Sequence, residues 1–151
     1  MLHFRQFLPA WALTSAALLS ACTGTPLSTS EVLAEAGKAP SGQPVRPVKA
    51  YDGSFTGEMS GTPAAGSKFS QLRIGMKAQE VQQRIGAPDE LYSHDTGKRW
   101  IPFYLGDDAR RIVVHHRGEG CLTFTGGKIW GGGEHVLIRM DVDPAGTCFQ
   151  P

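Results

Sequence analysis

The chain has 151 residues, with 15 Lys and Arg against 14 Asp and Glu and 40% hydrophobic residues. That length accommodates one small domain, and the near-neutral balance lacks the electrostatic footprint of a nucleic-acid binder. Three cysteines and five histidines are present, with no Cys-x-x-Cys and no His-Glu-x-x-His, so the usual metal and redox signatures are missing.

Residues 1–21 read as a targeting segment. Arg5 is its positive residue, and Phe7 to Leu19 is an apolar run too short for a membrane span. The run ends Leu19-Ser20-Ala21-Cys22, the form of a bacterial lipobox, which predicts a diacylglyceryl thioether on Cys22 and cleavage just before it. Ordinary secretory cleavage beside an incidental Cys is the competing reading. Thr23 follows, and by resemblance to other lipoproteins the absence of Asp there favours the outer membrane, with the protein on its periplasmic face. Two or three acyl chains on one residue exceed what stable membrane residence requires. Removing the signal deletes Arg5 and no acid, leaving 15 − 1 = 14 basic residues against 14 acidic ones.

Residues 22–66 are expected to be the lipidated Cys and a flexible tether. From 23 to 66 there are 44 residues, of which 22 are Gly, Pro, Ser or Thr, too few apolar groups to offset the entropy of ordering. The Tyr51 to Phe55 stretch is a weak docking candidate. A folded domain is expected over 67–149, opening with two short helices. The first carries Phe69 and Leu72 and is broken at Gly75; the second runs from Ala78 to Ile85, with Ala78, Val81 and Ile85 on one face. Gly86 and Pro88 end it, and Lys77 is a poor N-cap because it cannot accept the orphan amides.

The pattern Ile74-Gly75-Met76, a polar helix with a central Val81, then Ile85-Gly86-Ala87-Pro88 resembles the SmpA/OmlA (BamE) family of bacterial outer-membrane lipoproteins. The resemblance implies an α+β fold in which two short N-terminal helices pack on a three- to four-stranded antiparallel sheet. It also implies an accessory role in assembling β-barrel proteins into the outer membrane and in envelope integrity, with envelope proteins such as the barrel assembly machinery as partners. The same layout resembles β-lactamase inhibitory proteins, so a protein inhibitor or ligand-binding lipoprotein is the alternative.

Strand signals follow Pro88. Lys98 to Leu105 reads as an edge or bulged strand because of Pro102. Arg110 to His116 alternates, with Ile112, Val114 and His116 on one face and Val113 and His115 on the other. Cys121 to Thr125 puts Leu122 and Phe124 on one face, and Gly126-Gly127 is a hairpin signal. The last strand is expected to turn Val136, Ile138, Met140 and Val142 inward, and His135, Arg139, Asp141 and Asp143 towards solvent.

No catalytic constellation emerges, so no enzyme, cofactor or small-molecule substrate is expected. Adjacent strand residues such as His115 and His116 point to opposite faces and cannot chelate together. Trp100, Phe103, Tyr104 and Trp130 divide between core packing and partner contact, because aromatic residues anchor interfaces. Once lipid consumes Cys22, the oxidising periplasm favours a disulfide between Cys121 and Cys148, a loop with a 27-residue separation. Two free thiols, a metal pair or an intermolecular bond are the other possibilities.

Overall fold

A computed structural model describes residues 37–129 and 132–151, so Cys22 and Trp130 lie outside the described residues. In chain order, β1 (Val45–Lys49) and β2 (Thr56–Ser60) form a hairpin. A 3-10 turn (Phe69–Gln71) and the helix α1 (Ala78–Ile85) follow, then β3 (Glu90–Asp95), a second 3-10 turn (Gly97–Trp100), β4 (Arg110–His116), β5 (Gly120–Thr125) and β6 (Leu137–Val142). The strands make one six-stranded sheet in the order β1-β2-β6-β5-β4-β3, antiparallel throughout except for the β2–β6 pair, which is parallel.

The expected pair of helices on a three- to four-stranded antiparallel sheet is therefore corrected, among the described residues, to a six-stranded mixed sheet with a single α-helix. Two local causes account for the difference. Residues 45–60, expected to be tether, pair as β1 and β2, because Asp52 and Gly53 close the connection: the Ser54 amide and hydroxyl donate to Asp52 Oδ1, and the Gly53 amide donates to the Ala50 carbonyl. Gly57 then lets β2 approach β6, since a Cβ there would lie 2.4 Å from the Ile138 carbonyl oxygen and 2.6 Å from Ile74 Cγ2. The first expected helix fails for a second reason. The segment that follows it is claimed elsewhere: the Gly75 amide donates to the Leu137 carbonyl, the Leu137 amide to Met76, and the Tyr51 amide to Ile74. An extended segment bonded on both sides cannot coil, so only one 3-10 turn remains at Phe69.

The second helix keeps its expected bounds. Lys77 is extended and offers no side-chain cap, as its chemistry requires, and the Ala78 amide finds an acceptor in the His135 carbonyl instead. Gly86, at φ 89°, ends it. Val81 and Ile85 face a core that also holds Phe69, Leu72, Ile74, Met76, Val114, Leu122, Phe124, Leu137 and Met140.

The last strand departs from strict alternation. Thr123 pairs with Arg139 and Phe124 with Leu137, so Ile138 is the extra residue of a bulge. Leu137 therefore enters the core with Met140, while Val136 and Ile138 border a cleft on the opposite face. That opposite face is not the solvated surface expected of it. Asp141 and Asp143 are both buried. Asp141 accepts from the Ser60 hydroxyl and from Arg139, which also pairs with Glu58. The chain after β6 folds back over β4 and β5: Cys148 is bonded to Cys121, S–S 2.04 Å, and Phe149 packs on Tyr92 and His115. Asp143 organises this return by accepting from the Thr147 hydroxyl and the Cys148 amide. Burial works against its charge, but these bonds outweigh the burial and hold the carboxyl below its ordinary pKa.

Candidate functional site

Among the described residues β3 ends the sheet and hydrogen-bonds only to β4, so its outer edge presents backbone groups that no described strand pairs. Leu91 on this strand is 65% exposed. Beside it a groove of about 290 Å³ opens between α1 and the sheet, lined by Ala78, Val81, Pro88, Leu91, Ile112 and Phe124. One short helix cannot cover the core face of six strands, and the uncovered part lies at this edge.

From β3 the chain runs directly into the segment expected to be a strand at Lys98 to Leu105. No strand forms there. Gly97–Trp100 is a 3-10 turn, and Ile101 to Tyr104 closes a tight turn in which the Tyr104 amide donates to the Ile101 carbonyl. Pro102 lacks the amide a ladder needs, and its fixed φ suits the second position of a turn. Phe103 at the third position takes φ 59°, the only positive φ of a non-glycine residue among those described.

The neck of this loop is polar and tied. The Thr96 amide and hydroxyl donate to the backbone carbonyls of Ala109 and Asp108. Asp108 pairs with Lys98 and accepts from the Tyr104 hydroxyl, and Asp95 pairs with both Arg99 and Arg110. The tip is apolar and open: Trp100 is 83% exposed, Ile101 50%, Phe103 96% and Leu105 78%.

Of the sequence-predicted contact residues, Trp100 and Phe103 therefore share the loop tip, Tyr104 belongs to its neck, and Trp130 is outside the described residues. Ile101, Leu105 and Leu91 join the surface without having been singled out. The signal for the first two was available, since they belong to the same apolar run as Trp100. Leu91 could not be found that way, because its exposure follows from the shortness of the cover.

A second, larger concavity of about 680 Å³ lies on the opposite sheet face, between the β1–β2 connection and the start of β4. Part of its charge is paired internally, Lys77 with Glu134 and Arg139 with Glu58 and Asp141, whereas Asp107 Oδ1 and Arg111 Nε are buried without a hydrogen-bond partner among the described residues. Glu134 accordingly raises the Lys77 pKa, and Asp141 that of Arg139. The two histidines of β4 separate as their strand spacing requires. His116 meets Phe69 edge-on in the core, where burial, aided by Lys68, lowers its pKa, while His115 stacks on Phe149 across the sheet.

The chain matches no protein-family model, no curated protein and no solved structure.

Proposed function

We propose that this chain is a lipid-anchored, periplasm-facing interaction module of the bacterial outer membrane, held there by Cys22 and serving as an accessory in β-barrel assembly and envelope integrity. The observation that carries the reading is the β3 edge, unpaired on its outer side among the described residues, with an apolar groove beside it where part of the core face is left open. Such an edge accepts an extended segment of another protein: backbone groups complete the ladder, and alternate side chains enter the groove. The signal and lipobox support the anchor, and the glycine motifs around α1 support the assembly role by resemblance.

The test is genetic and biochemical together. Deleting the gene is expected to lower the level of assembled outer-membrane barrels and sensitise cells to detergent, with rescue by the wild-type chain but not by Cys22→Ser. Leu91→Glu, at an exposed position, is expected to abolish co-purification of barrel assembly components while leaving Tm unchanged. Normal barrel levels in the deletion strain would refute the assembly role. Full rescue by Cys22→Ser would refute the anchor.

A further inference from the structure

The exposed apolar loop is explained neither by the core nor by the β3 edge. We propose that it is a second membrane contact, with Trp100, Ile101, Phe103 and Leu105 seated in the interfacial layer of the bilayer to which Cys22 is attached. This rests on the lipid-anchor reading above.

Four large apolar side chains within six consecutive residues are all at least half exposed, a concentration that marks a contact surface. The backbone aims them outward at a cost. Phe103 holds a left-handed conformation that glycine would adopt more readily, and its ring, 96% exposed, packs on almost nothing in the domain. A strained residue that gains nothing from its own fold is placed for something outside it.

The chemistry of the tip favours lipid over protein. Protein interfaces are read through hydrogen bonds at a density of about one per 100–200 Å². Among the four tip side chains only the Trp100 indole N–H can make one. The charges close by, Lys98, Arg99 and Arg110, are committed to Asp108 and Asp95 at the neck, so the loop presents an uncharged apolar cap on a polar collar. That is how aromatic residues sit at a bilayer boundary. The irregular backbone also fixes the depth, because a loop cannot satisfy its amides in hydrocarbon and must stay at the headgroup and acyl boundary.

The chain outside the described residues permits the contact. Fourteen residues lie between Cys22 and Gly37, and whatever their conformation they span at most about 50 Å. A domain of this size has a radius of gyration of only about 13 Å, so its whole surface is within reach of the membrane. The lipid supplies residence and the loop supplies orientation. Because β3 leads straight into the loop, this contact would hold the free edge beside the membrane, where barrel strands emerge.

The experiment uses the lipidated full-length chain with Trp130→Phe, so that Trp100 is the sole tryptophan after signal removal. It is reconstituted into phosphatidylcholine vesicles brominated at shallow acyl positions. The expected result is a blue shift and loss of Trp100 emission, unchanged by high salt and reversed when Ile101, Phe103 and Leu105 are all replaced by Ser. Solvent-like, unquenched emission from a chain whose intact mass shows lipid on Cys22 overturns the loop contact alone. An intact mass without the lipid overturns the anchor reading, and this proposal with it. Shielding of Trp100 only when other outer-membrane proteins are added overturns the proposal in favour of a protein partner.

Discussion

Two stretches of this chain are each rich in large apolar residues, the second the richer, and have opposite fates. Phe69 to Met76, with Phe69, Leu72, Ile74 and Met76, is buried at every one of those positions, whereas Trp100 to Leu105 leaves Trp100, Ile101, Phe103 and Leu105 exposed. Hydrophobicity therefore does not separate them; the destinations of their backbone hydrogen bonds do. Ile74, Gly75 and Met76 are bonded to Tyr51 and Leu137, which clamps the first stretch across the core face. The second is bonded only within itself and at its neck, and Pro102 with Phe103 turns it away from the sheet.

The largest expected effect tests the clamped side of this contrast. Phe69→Ala, at a side chain with 0% exposure, is expected to cost about 3–5 kcal/mol in denaturant unfolding. A cost under 1 kcal/mol would show that residues 69–76 are not a cover for the core.

The tail that covers the other face offers the next largest change. Cys148→Ser removes a cross-link spanning 27 residues and is expected to destabilise by about 3.5 kcal/mol by the chain-entropy estimate. Reduction of the wild-type chain should reproduce the loss. If neither changes the denaturation midpoint, the tail is not held by the bridge.

Acid acts on both faces in sequence. His116 has a folded pKa below its ordinary value, chiefly through burial, so the unfolded chain binds the proton more readily and stability declines as pH falls below about 6.5. Asp143 also has a lowered folded pKa. Its contribution is therefore complete above the unfolded value of about 3.9 and is lost as pH falls further, through the folded one. Unfolding measured across this range should show the first decline abolished in His116→Phe and the second reduced in Asp143→Asn. A single decline insensitive to both substitutions would contradict the assignment.

The smallest effects belong to the open loop. Trp100→Ala is expected to change stability by no more than about 0.5 kcal/mol, as for other exposed positions. Phe103→Gly is expected to raise it by up to about 1 kcal/mol through relief of the left-handed strain, offset in part by the entropy glycine adds to the unfolded chain. Destabilisation by Trp100→Ala comparable to that of Phe69→Ala would erase the contrast.

The sequence by itself determined the features written in local periodicity and local chemistry. The bounds of α1, the division of Ile112, Val114 and His116 from Val113 and His115 across β4, and the lack of a cap at Lys77 all follow from residues within a turn or two of one another. The tertiary structure decided what depends on distant backbone. Asp52-Gly53 was a legible turn signal, but without knowledge of the β6 edge waiting to pair with β2 the polar residues around it resembled a tether. The bulge at Ile138 replaced the expected inward residue with Leu137, because register is set by the partner strand and not by the alternation of one strand alone. The candidate surface divides the same way: the aromatic run could be read directly, but its exposure, and the groove beside Leu91, arose only when long-range hydrogen bonds had chosen which apolar segment would close the core.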